Sequence, residues 1–163
     1  MSQNYGKLWE QKVKDDFLKV PGATIDRLYD QTTGHAFTSA NVCDFIGFIG
    51  DELTDKGNIY YIEAKSCHKN TFPLVNLRQY DKLKFKVGLP GVRTGVVLWF
   101  IDHQTVLYVP ISTFTQLIKD GKKSVNIKMI DENEYNIITI PSVTKRTFPI
   151  CDYNILTTLK RGE

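Results

Sequence analysis

The run VCDFIGFI, residues 42–49, is apolar throughout except for Asp44, the pattern of a strand covered on both faces. A carboxylate inside such a run needs a reason, because an unpaired buried charge is costly. The next apolar run, NIYYIEAKSC (58–67), follows the Gly- and Asp-containing turn GDELTDKG, so the two segments read as a hairpin. Side chains alternate along a strand, which puts Ile59, Tyr61, Glu63 and Lys65 on one face. Asp44 shares a face with Val42 and Ile46, and pairing the strands can set it beside Glu63. Two like charges on an apolar sheet face repel each other, and a divalent cation removes that objection. Mg²⁺ suits the pattern, since it takes one or two carboxylates plus waters and substrate phosphate, and the Ala64 carbonyl can add a ligand. Lys65 can then orient or deprotonate a water, or offset charge developing on a phosphate. The bland reading is a surface Glu63–Lys65 ion pair.

The rest of the chain supplies the layers. A first helix is expected from about Asn4 to Lys19, ending before Pro21-Gly22. At 100° per residue Trp9, Val13, Phe17 and Val20 fall within one arc of about 80°, and Glu10 borders it. ATIDRLYD is a weak strand candidate. NLRQYDKLKFKV (76–87) reads as a helix ending at Gly88-Leu89-Pro90-Gly91, although the alternation in KLKFKV leaves a strand open. GVVLWFI and TVLYVPI form a hairpin about Asp102-His103-Gln104. STFTQLIKDG reads as a helix with Thr113 and Gln116 spaced as a capping box. SVNIKMI and YNIITI are short late strands, and DYNILTTLK a closing helix. This order predicts an α/β fold, a mixed central β-sheet flanked by helices, in a single domain over residues 1–163.

A net charge of +3 permits nucleic-acid binding without arguing for it, so placement of charge must carry the case. Basic residues cluster at Lys65, Lys69, Arg78, Lys82, Lys84 and Lys86, and again at Lys119, Lys122 and Lys123. Lys7, Lys69, Arg78, Lys82 and Lys86 are the candidates for phosphate-backbone contact. The 3 cysteines lack CxxC spacing, which disfavours a disulfide framework and suits a reducing cytoplasm. Cys43, Cys67 and His68 flank the site with the wrong spacing for common zinc motifs; a core residue and a strand end are the expected roles. His35 and His103 fall in polar loops, and no serine or cysteine nucleophile pattern is present. The N-terminus is too charged for a signal peptide, and no apolar run approaches membrane-spanning length. Tyr60 and Tyr61 read as sheet packing rather than base stacking.

Several segments resemble one family in order along the chain. GKLWE (Gly6 to Glu10) is similar to its Gly-x-x-x-Glu on the first helix, and DFIGF to its Asp-aromatic-x-Gly strand. EAKSCHKNTFPLVN is similar to its Glu-Ala-Lys segment followed by Phe-Pro-Leu, while DGKKS and CDYNIL match further on. In these the chain resembles the PD-(D/E)XK nuclease superfamily and, within it, the RecU-type Holliday-junction resolvases of Gram-positive bacteria and their phages. The resemblance implies a restriction-endonuclease-like core and an endonuclease acting in DNA recombination and repair, as a homodimer on four-way branched DNA. It implies that Asp44 and Glu63 bind Mg²⁺ (Mn²⁺ substituting), that Lys65 is the catalytic lysine and that Glu10 assists. No small-molecule cofactor is implied.

The family's Gln on the helix after Phe-Pro-Leu falls best on Gln79, although strict counting from Phe72 reaches Asp81. Three departures stand out. Val42 replaces a Thr ligand, Tyr5 replaces an Arg, and the stretch between Glu10 and Asp44 is shorter than the family's, which carries a junction-engaging stalk. They bear on junction selectivity more than on strand cleavage, and the brevity leans towards phage origin. A superfamily nuclease acting on linear, flap or other branched DNA, a non-catalytic junction-binding module, and an α/β domain unrelated to nucleic acid stay as alternatives.

Overall fold

The computed structural model describes residues 5–29, 40–51, 53, 54 and 56–159. Asn4, His35 and much of the segment 22–40 fall outside them. In chain order the elements are α1 (Tyr5–Phe17), β1 (Ala23–Arg27), β2 (Phe45–Asp51), β3 (Lys56–Cys67), β4 (Thr71–Pro73), α2 (Tyr80–Lys84) and β5 (Val92–Phe100). Then come β6 (Thr105–Pro110), α3 (Ile111–Lys119), β7 (Ser124–Asn126), α4 (Met129–Glu132), β8 (Ile138–Ile140), β9 (Ser142–Lys145) and β10 (Phe148–Cys151). Strands β1, β2, β3, β5, β6 and β8 form one sheet in that order, with β3 and β5 parallel and the other neighbours antiparallel. This is the expected mixed α/β sheet. A parallel pair needs a long crossover, and α2 lies within it.

Each face of the sheet has its own core. Trp9, Val13, Phe17 and Val20, the expected helical stripe, are at most 3% exposed and pack with Tyr60, Ile62 and Trp99. On the other face Leu83 of α2 and Ile111, Phe114 and Leu117 of α3 pack with Val96, Leu98 and Leu107. The turn from α1 into β1 depends on Gly22, at φ +72°. A Cβ there would stand 2.7 Å from the Gly50 carbonyl oxygen of β2, so the left-handed turn admits no side chain.

Several local expectations are corrected. β2 starts at Phe45, so Val42 to Asp44 precede the strand, and it is not covered on both faces, since Phe48 is 41% exposed. The helix expected over 76–87 shrinks to α2, preceded by a 3₁₀ turn at Leu74–Asn76. Within α2 only Leu83 is buried, and Phe85 just after it is 85% exposed, so no apolar stripe exists to sustain a longer helix. The capping box is absent: Pro110 starts α3 at Ile111, which leaves Thr113 inside the helix donating to the Asn136 carbonyl at 2.6 Å.

The strand expected over 124–130 stops at Asn126, whose side chain accepts from the Lys128 N–H at 3.0 Å and turns the chain. The closing helix is 3₁₀, Tyr153–Thr158. Thr157 and Thr158 hydroxyls donate to carbonyls three residues back, competing with the α-helical ladder. Strands β4, β9 and β10 had no sequence signal strong enough to be read, so the small β4–β7 and β9–β10 pairs were not expected.

Candidate active site

The β2–β3 ladder ends at the Phe45–Ile62 pair, and one further step sets Asp44 opposite Glu63. Beyond the ladder, side chains take over from backbone. Glu63 Oε2 accepts from the Asp44 N–H at 3.1 Å, and Asp44 Oδ2 accepts from the Ala64 N–H at 2.8 Å. Lys65 Nζ donates to Glu63 Oε1 at 2.6 Å. The two carboxylates therefore interlock across the strand ends. An N–H and C=O of one strand residue point to the same neighbour, so the Ala64 carbonyl also turns to the Asp44 side.

The charges are in tension. Burial pushes the Glu63 carboxyl up to about 7, the Asp44 charge adds to the rise, and Lys65 opposes it. Asp44 is also raised, by burial, against the Ala64 N–H and the charges of Lys65 and Arg27. Glu10 is raised first by burial and then by Asp44.

A cleft of about 270 Å³ opens beside Asp44, lined also by Lys7, Glu10, Arg27, Asn41 and Gln79. Helix α1 delivers Glu10 to it, as the position on the border of the buried stripe requires. Gln79, immediately before α2, lines the cleft, and its Oε1 is buried without a hydrogen-bond partner among the described residues. Asp81 is exposed on α2 and is not among the lining residues. Glu63 and Lys65 are not on the cleft wall; they join it through Asp44.

One charged lining residue escaped the sequence reading. Arg27, the last residue of β1, pairs its Nη2 with Glu10 Oε2. The one available hint was alternation: Ile25 is buried on the α1 side, and Arg27 two residues on shares its face.

Among the described residues no three His, Cys, Asp or Glu side chains converge as metal ligands. Two interlocked carboxylates and a strand carbonyl nevertheless fit Mg²⁺, which leaves most of its octahedron to water and substrate phosphate.

A family profile for RecU, Recombination protein U, matches residues 16–150. The chain belongs to the RecU family. Comparison with curated proteins gives no match. Members of the RecU family are nucleases, and membership implies a Holliday-junction resolvase that binds branched DNA. The matched segment of this RecU chain holds Asp44, Glu63, Ala64, Lys65, Gln79 and Arg27, while Lys7 and Glu10 precede it.

Around the site, Lys7 lines the cleft and Arg78 is exposed beside Gln79. Lys69 is exposed in the turn after β3, which Tyr5, edge-on to His68 with centroids 6.3 Å apart, holds near the start of α1. Lys82 donates to the Ala40 carbonyl, and Lys86 lies 4.7 Å from the centroid of the Tyr61 ring. Tyr60 is buried, with its hydroxyl on the Leu156 carbonyl at 3.0 Å.

The Cys43 thiol donates to the Phe45 carbonyl at 3.0 Å, and burial pushes it up to about 12; burial likewise takes Cys67 to about 11. His68 contacts Asp102 at 3.1 Å and His103 contacts Asn70 at 2.7 Å, so the turns after β3 and β5 brace each other. No described helix is long and apolar enough to cross a membrane.

Proposed function

We propose that this chain is a Mg²⁺-dependent endodeoxyribonuclease on a PD-(D/E)XK core, nicking four-way DNA junctions symmetrically as a homodimer. The observation that carries the reading is the interlocked Asp44–Glu63–Lys65 cluster at the ends of two paired strands. Asp44, Glu63 and the Ala64 carbonyl would hold Mg²⁺, with Mn²⁺ able to substitute. The bound ion would supply Lewis-acid polarisation of the phosphate and an acidified water.

The chain's own residues do the rest. Lys65 sits against Glu63, from where it can orient the attacking water or offset charge growing on the phosphate. Glu10 and Gln79 face the cleft as hydrogen-bond acceptors for that water. Lys7, Lys69, Arg78, Lys82 and Lys86 are assigned to phosphate contact, so DNA is read by shape and backbone rather than base edges. Symmetric nicking of two strands needs two equivalent sites, hence a two-fold dimer.

The test is cleavage of an end-labelled four-way junction and its matched linear duplex, each with Mg²⁺ or EDTA, by wild type and Asp44→Asn. Paired symmetric nicks on the junction alone, lost in EDTA and in the variant, are expected. Equal cutting of both substrates would remove junction selectivity and leave a general nuclease. Junction binding by folded wild type without any cutting would reduce the chain to a binding module.

A further inference from the structure

We infer that Arg27 is a phosphate-binding cation held in reserve by Glu10, and that the two part when metal and DNA occupy the cleft. The inference rests on the proposed function. Three observations place Arg27 there. The end of β1 is fastened to the site by backbone, since the Leu28 N–H donates to the Asp44 carbonyl at 2.8 Å. Its guanidinium pairs with Glu10, and the guanidinium carbon lies 5.6 Å from the centroid of the Tyr29 ring, so both its partners line the cleft. Arg27, Glu10 and Asp44 all line that cleft.

The chemistry follows from what each group prefers. A guanidinium fork matches a phosphate as well as it matches a carboxylate. Glu10 shares the cleft wall with a second carboxylate, Asp44, and burial followed by the Asp44 charge raises its pKa. Without metal, Arg27 is the nearer source of positive charge for Glu10. A divalent cation at Asp44 would offer Glu10 a stronger partner, directly or through a water, and the released guanidinium would face the phosphate beside it. Arg27 and the metal therefore compete for Glu10, while metal and DNA binding assist each other.

A double-mutant cycle reads this without relying on turnover. Mn²⁺ alone, titrated into DNA-free protein and followed by EPR, should bind Arg27→Met roughly five- to tenfold more tightly than wild type. In a Glu10→Gln background the same substitution should change the affinity little. Conversely, in EDTA at fixed salt, Glu10→Gln should tighten junction binding by freeing Arg27, and adding Arg27→Met should remove that gain.

An unchanged Mn²⁺ affinity in Arg27→Met would overturn the inference. So would an equal gain in the Glu10→Gln background, which marks a through-space charge effect, or a Glu10→Gln gain in DNA affinity that survives Arg27→Met. If Arg27→Met does not fold, the EDTA measurement on Glu10→Gln and Glu10→Gln/Arg27→Lys decides: an unchanged junction affinity in both overturns the exchange. Wild type that binds no Mn²⁺ sinks the metal site and this inference together. Wild type that binds Mn²⁺ and cuts, without the cycle, sinks the Arg27 exchange alone.

Discussion

Glu63 occupies a position that stability alone would not select for a carboxylate. Its side chain is 0% exposed, and burial with the Asp44 charge lifts it from 4.5 to about 7. A carboxyl raised in the fold contributes its full stability below the ordinary value and loses it as pH rises through the folded one. In EDTA, wild type should therefore weaken between about pH 5 and pH 8, where Glu63 ionises. Glu63→Gln keeps a carbonyl acceptor and cannot ionise. It should match wild type near pH 5, exceed it at pH 8 by on the order of 2 kcal/mol, and abolish cleavage. Thermal melts at the two pH values check this; a gap independent of pH would mean that Glu63 is not the titrating group. Asp44, Glu63 and Lys65 were legible because strand alternation fixes which side chains share a face. Arg27 was not, because its partner sits 17 residues away on α1 and only the packing of α1 on the sheet brings them together.

At the scale of elements, α1 is seated on the sheet by one missing side chain. A Cβ at Gly47 of β2 would lie 2.9 Å from the Phe17 ring, which is fully buried at the end of α1. The glycine in DFIGF is thus a spacer that lets a helix carrying Glu10 approach the strand next to Asp44. Gly47→Ala should force Phe17 out of place and cost about 1–3 kcal/mol, with the shift transmitted along α1 to Glu10. Denaturant melts measure the loss, and Phe17→Leu in the same chain should restore part of it.

A second tie is Asp16, whose buried carboxylate accepts from the Cys151 N–H at 2.9 Å and from Lys19 Nζ at 2.6 Å, joining α1 to β10. Asp16→Ala leaves a buried N–H unsatisfied and should cost about 2–4 kcal/mol in the same melts. The long elements α1, β3, β5 and β6 were legible because their burial is periodic or continuous. The short ones were legible only in part: α2, β7 and the terminal 3₁₀ turn lie inside segments read with the wrong length or helix form, and β4, β9 and β10 were not read, because side chain–backbone bonds and tertiary packing set them and no local pattern encodes these.

Over the whole molecule a net charge of +3 leaves little long-range attraction for DNA, so affinity must come from where the cations stand. Lys69, in the turn after β3, and Arg78, beside Gln79, are both exposed, and replacing either with Ala should lower the slope of log K against log salt by roughly 0.9 per lost phosphate contact. Symmetric nicking is a property that one chain cannot show, because the described residues hold one Asp44–Glu63–Lys65 cluster. The proposed symmetric nicking would call for two such clusters on two strands of one junction, and a two-fold dimer would bring them there. Mixing supplies the test. Wild type re-equilibrated with a large excess of Asp44→Asn should place nearly every active chain beside an inactive one. Junctions should then carry a single nick, staying four-armed on a native gel while showing one cut strand on a denaturing gel. If each chain instead acts alone and visits the junction twice, dilution with the variant should slow the reaction and still yield two nicks. The first outcome makes the dimer the unit of junction resolution; the second makes the interlocked carboxylate site sufficient by itself.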